Sequence, residues 1–162
     1  MIGDLIDRKN ERRKKLAYRL PRYRVTLVRE GSISNSNNHI RTPEDVVSIL
    51  SADYDAAVVE MAQMLTLDTK NKIIGIFTIS TGSLNASIIH PRDIFQRAIL
   101  SNAASVILAH NHPSGDPTPS SEDIELTNKL VQVGKMMDLP ILDHVVIGDG
   151  KFVSLKERGI IS

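Results

Sequence analysis

The sequence contains no cysteine and no tryptophan, and only three tyrosines and three phenylalanines. Without thiols the chain forms neither disulfides nor thiolate metal sites, so any bound metal falls to histidine and carboxylate. With so few aromatic rings there is no platform for stacking single-stranded nucleic acid. No apolar run approaches the ~18 residues of a spanning helix, and no membrane association is expected. Charge begins at Asp4 with no apolar leader-like stretch, which makes the cytoplasm the expected location.

What remains is 162 residues, 41% apolar and 24% charged, the composition of one soluble domain with a full core. The net charge is only +1, but it is unevenly spread. Residues 1–24 carry nine basic side chains against Asp4, Asp7 and Glu11, a local +6 that leaves −5 for the remainder. A basic arm on an acidic body suits an anionic partner such as nucleic acid, or is simply a solvated terminus.

Residues 1–20 read as a basic helix and Tyr23–Glu30 as a strand, followed by the Ser- and Asn-rich loop Gly31–Ile40. Thr42, Pro43 and Asp45 open a helix expected to reach about Leu50. Ala56–Asp68 and Ile73–Ser80 read as a hairpin, with a third strand over Leu84–His90. A helix then runs from Pro91 to about Asn102 with Ile94, Phe95, Ala98 and Ile99 on one face. Ala104–His110 is a continuous apolar run, as a central buried strand should be. The helix beginning near Ser120 places Ile124, Thr127, Val131, Gly134 and Met137 together, and "ILDHVVIG" and "KFVSL" read as two closing strands. Helix and strand alternate, so the expected class is α/β with a mixed sheet flanked by helices.

The chemistry concentrates in "VILAHNHPSGDPTPSSEDIELT". Alternation on a strand puts His110 and His112 on one side and Asn111 on the other. Asp123 falls in the first turn of the next helix, which could return it to the strand's end. Two imidazoles and one carboxylate leave a tetrahedral zinc one open position, the layout of a catalytic site. The same residues also read without a metal: Ser120-x-x-Asp123 is a helix-capping pattern, and the histidines could be two partly exposed rings. Glu60 stands among Val59, Met61, Ala62 and Met64, where a buried carboxylate is costly unless paired or used. A solvent-facing Glu on an edge strand is the alternative. His90 reads as a cap or surface residue. His144, next to Asp143, reads as half of a core pair or as support for a metal ligand.

His110-x-His112-x(7)-Ser120-x(2)-Asp123 with upstream Glu60 resembles the JAMM motif of the JAB/MPN metalloproteases. The text around it, "HPRDIFQRAILSNAASVILAHNHPSGDPTPSSEDIELTNKL" and "LDHVVIGDGKFVSLKERGI", is similar to the bacterial RadC branch. The Gly31–Ile40 loop sets the expected boundary between a basic extension (1–40) and the domain (41–162). The resemblance runs from about Glu60 to the C-terminus and implies a cytidine-deaminase-like fold. It implies one zinc per chain on His110, His112 and Asp123, with Glu60 as acid/base and Ser120 stabilising the oxyanion. The implied activity is hydrolysis of a peptide or isopeptide bond in a protein or peptide substrate. The runner-up is a DNA-associated repair or mobile-element protein that would meet nucleic acid through the basic N-terminus and whose metal chemistry is vestigial or unassigned. A zinc nuclease ranks third, the letters "HNH" being a decoy. Nucleobase deamination is closed, since its zinc motif requires cysteine. The helix-hairpin-helix domain common in RadC proteins finds no room in 162 residues, and the insertions that grip ubiquitin in deubiquitinating members find none between Glu60 and the C-terminus.

Overall fold

The computed structural model describes residues 19–82 and 89–162. The basic helix over 1–20 and the strand over Leu84–His90 fall, but for their last two residues, outside them. Among the described residues are three helices, α1 (Pro43–Asp55), α2 (Pro91–Leu100) and α3 (Ser121–Met136). Five strands, β1 (Met61–Leu67), β2 (Ile73–Thr81), β3 (Ser105–Asn111), β4 (Ile141–Ile147) and β5 (Phe152–Ser154), form one sheet in the order β2-β1-β3-β4-β5. β3 and β4 are parallel, joined through α3, and the other pairs are antiparallel. The mixed α/β sheet expected from the sequence is therefore present.

The sheet is covered on both sides because its central strands are apolar on both. Met64, Val106, Leu108 and Val146 pack with Ile94, Phe95 and Ala98 of α2 and Leu126 and Leu130 of α3. Leu65, Leu67, Ile107, Ala109 and Val145 pack with Val46, Ile49, Leu50 and Tyr54 of α1. Every residue of β3 is buried, as its unbroken apolar run requires.

Several boundaries differ from the sequence reading. Tyr23–Glu30 forms no strand; it lies exposed and pairs with no strand among the described residues. Instead Asn38–Ile40 lies against the start of β2, with the Ile73 N–H donating to the Asn38 carbonyl at 2.8 Å. α1 continues to Asp55 because Tyr54 adds a further buried anchor. The strand expected from Ala56 starts only at Met61, leaving Val58 90% exposed. Ile99 is 53% exposed, so the buried face of α2 is Ile94, Phe95 and Ala98. On α3 the inward stripe is Asp123, Leu126, Thr127, Leu130 and Gly134; Thr127 and Gly134 lie where expected, while Asp123 and Leu130 take the places expected for Ile124 and Val131. Met137 sits outside that stripe.

Gly134 shows how tightly α3 meets the chain that follows it. A Cβ there would lie 2.6 Å from the Leu139 carbonyl oxygen and 3.4 Å from the Phe95 ring. That same turn is closed by the Leu139 N–H donating to the Gly134 carbonyl at 2.9 Å, so the backbone has little room to retreat. Gly134→Ala should cost about 1–3 kcal/mol by overpacking, despite alanine's better helix propensity, read as a lower urea midpoint at unchanged slope.

Candidate metal centre

The carboxyl end of β3 delivers His110 to the α2/α3 side of the sheet and Asn111 to the α1 side. Beyond it the chain turns at once, the Gly115 N–H donating to the His112 carbonyl at 2.9 Å. Asp123 enters from the first turn of α3, whose start is fixed by a reciprocal cap. The Asp123 N–H donates to Ser120 Oγ at 3.1 Å, and Asp123 Oδ2 accepts from the Ser120 N–H at 2.8 Å and from its hydroxyl at 2.6 Å. The Ser120 hydroxyl hydrogen here points at the carboxylate.

These elements bring four predicted residues to one point. His110 Nε2 lies 3.0 Å from His112 Nε2 and 3.4 Å from Asp123 Oδ1, and His112 Nε2 lies 3.6 Å from Asp123 Oδ2. Ligands on a tetrahedral ion with bonds of 2.0–2.1 Å stand about 3.3 Å from one another, so this donor set has the spacing and chemistry of a metal site. Glu60 Oε1 is 3.9 Å from His112 Nε2, farther out than the other three. Glu60, His110 and His112 also form a group close enough to hold an ion among themselves.

Glu60 is not the core-strand carboxylate that its neighbours suggested. It precedes β1, and its side chain is 24% exposed. Asn111 fixes it in place: its Oδ1 accepts from the Met61 N–H at 2.7 Å and its Nδ2 donates to the Val59 carbonyl at 3.2 Å. From the other side the Gly82 N–H donates to the Glu60 carbonyl at 2.7 Å. The residue before and the residue after Glu60 are therefore tied to β3. An outward-pointing Asn between two histidines was the available signal, and it reads as such only once β1 is known to lie alongside.

A second layer supports the imidazoles. His112 Nδ1 donates to the Asp116 carbonyl at 2.7 Å, leaving Nε2 as the free ring nitrogen. The loop that presents this carbonyl abuts the β4–β5 turn, where a Cβ on Gly148 would overlap the Gly115 carbonyl, and the Asp149 N–H donates to that carbonyl at 3.0 Å. His144 stands behind the site, its Nε2 2.8 Å from His110 Nδ1 and its Nδ1 2.6 Å from Thr127 Oγ1. It is not paired with the Asp143 carboxylate through its ring; that carboxylate bonds Ser154 Oγ and backbone N–H groups, including that of His144 itself. Thr127, one helical turn after Asp123, was expected only as part of the α3 inward face, and its contact with His144 was not foreseen. His90 is exposed at the N-cap of α2 and makes no side-chain cap.

Burial works to raise the Asp123 carboxyl, but the hydrogen bond and charge of His110 and two hydrogen bonds from Ser120 outweigh it. They hold it well below the usual carboxylate range, ready as an anionic donor. Burial first, and then the charge of His110, pushes His144 down to about 3.

The descriptive family model of the RadC-like JAB domain matches residues 40–160. The chain belongs to the RadC-like JAB domain family. It is 51% identical to a UPF0758 protein of Caldanaerobacter subterraneus subsp. tengcongensis over 79% of this chain and 55% of that protein. A UPF0758 protein of Methanococcoides burtonii is 55% identical over 76% of this chain and 54% of its own length. One of Clostridium beijerinckii is 46% identical over 78% and 56%. The chain spans about half the length of the curated relatives it matches. The open mixed sheet with its three described helices is consistent with the JAB/MPN fold. No described helix is long and apolar enough to cross a membrane.

The position of His144 has a pH consequence. An unfolded chain protonates this ring near its ordinary 6.5, the folded one only near 3. Its contribution to stability is complete above pH 6.5 and is lost as pH falls toward 3, because the unfolded state then binds the extra proton. The melting temperature of metal-free protein should fall across that window, and His144→Gln should flatten the slope within it.

Proposed function

We propose that this RadC-like domain is a zinc-dependent JAMM-type metallohydrolase that cleaves a peptide or isopeptide bond. The observation that carries the reading is the convergence of His110 Nε2, His112 Nε2 and the Asp123 carboxylate at tetrahedral spacing, with Glu60 just outside that trio. Three protein donors leave one position open, which distinguishes a catalytic zinc site from a structural one. Held there, zinc supplies a Lewis acid that acidifies water and polarises a carbonyl at neutral pH.

The chain's own groups do the rest. Glu60, pinned by Asn111 and partly exposed, takes the proton of the attacking water and passes it to the departing amine nitrogen. Asp123, kept anionic, offsets positive charge at the centre. Ser120 orients that carboxylate and, by rotation of its hydroxyl, donates to the developing oxyanion. The sequence has no thiol to compete for the ion.

Protein purified without metal-affinity columns should contain about one zinc per chain by mass spectrometry. Its hydrolysis of a panel of fluorogenic peptides and lysine-linked isopeptides should fall about 10²–10⁴-fold in Glu60→Gln with zinc content unchanged. Absence of zinc, or full activity in that variant, would overturn the reading. Ser120→Ala should lower kcat by more than its cap loss of ~1 kcal/mol lowers stability. An equal melting-temperature loss with unchanged kcat would leave Ser120 as a cap alone.

A further inference from the structure

We propose that Thr127 and His144 are positioning residues that set the tautomer of His110, so that its Nε2 presents a lone pair to the cation. The inference rests on the metal-centre reading above, but its core is a statement about protons in the metal-free chain.

Thr127 is fully buried, and its Oγ1 meets two polar partners, the Asp123 carbonyl and His144 Nδ1, each at 2.6 Å. A carbonyl only accepts, so the single hydroxyl hydrogen of Thr127 goes to Asp123. The hydroxyl oxygen is then the acceptor for His144, and His144 Nδ1 carries the hydrogen. Neither partner of the His144 ring is a carboxylate, and a neutral imidazole has one N–H. His144 Nε2 is therefore an acceptor, and the group 2.8 Å away, His110 Nδ1, must donate to it. When the His110 ring is neutral, as a metal ligand must be, its one hydrogen is then on Nδ1 and Nε2 is bare.

His112 reaches the same state by a different route, through the Asp116 carbonyl. Two bare ring nitrogens then face each other at 3.0 Å, with the Asp123 oxygens 3.4 and 3.6 Å away. Lone pairs and a carboxylate in one buried space repel one another unless a positive charge lies between them. The relay thus builds a cation-shaped charge deficit before any cation arrives. Its two ends also meet: the hydroxyl that orients one ligand's ring through His144 is bonded to the backbone of another ligand, Asp123.

Replacing Thr127 with Val keeps the volume and removes the acceptor. A buried His144 Nδ1–H without a partner is costly, so the ring should move its hydrogen to Nε2 and donate to His110 Nδ1. His110 then carries hydrogen on Nε2, where the ion must bind. Long-range ¹H–¹⁵N spectra of metal-free protein should show His110 as the Nδ1–H tautomer in the wild type and as Nε2–H in Thr127→Val. Zinc affinity measured by chelator competition should weaken about 10–100-fold in Thr127→Val. Thr127→Ser, which restores the hydroxyl, should recover both tautomer and affinity. A wild-type His110 found as Nε2–H would overturn the proposal even if no variant folded. So would a folded Thr127→Val with unchanged tautomer and zinc affinity. Failure of the wild type to bind zinc would overturn the proposed function instead, while the tautomer reading in metal-free protein would still decide the relay.

Discussion

Everything at the candidate centre depends on the register of β3. That strand is hydrogen-bonded on both sides, antiparallel to β1 with Ala62 opposite His110 and parallel to β4 with Val146 opposite His110. Side chains alternate across a sheet, so a slip of one residue would send His110 toward α1 and Asn111 toward α3. Both substitutions would be ruinous: a ring among Leu50 and Ile49, and an amide in place of a ligand. Apolar residues on both faces of β3 fix the register, because Val106 and Leu108 fit one core and Ile107 and Ala109 the other. The core thereby supplies the precision that the polar end requires.

That precision is carried across the site by polar groups with few alternatives. Asn111 and the Asp116 carbonyl each meet a partner at 2.7 Å, and Thr127 meets two at 2.6 Å, leaving little freedom for the side chains they hold. Such buried networks are favourable only when each member is satisfied. The His110 and His112 rings meet within that network at 3.0 Å, beside the Asp123 carboxylate.

The sequence was informative where a local pattern had one physical solution. The unbroken apolar run of β3, the Ser120–Asp123 cap and the i, i+2 histidines all kept their expected places. It was misleading where alternation had no partner to act upon: Tyr23–Glu30 has the pattern of a strand but lies exposed. Glu60 was expected near the histidines partly as an enclosed core-strand carboxylate, and that part the fold does not support, since its side chain is 24% exposed. The supporting residues were the least visible. Asn111 acts on Met61, 50 positions away, and His144 on His110, 34 positions away; no window along the chain contains both partners.

The contact between Gly115 and Gly148 makes the turn after β4 a mould for the loop that holds His112. The mould is one of the last parts of the domain to be made. A growing chain emerging from the ribosome exposes both histidines and Asp123 well before Gly148 exists, so the ligands are present while the loop that aims one of them has nothing to rest against. The candidate site is therefore assembled only once the C-terminal hairpin has formed, and it is among the last features of the domain to be completed.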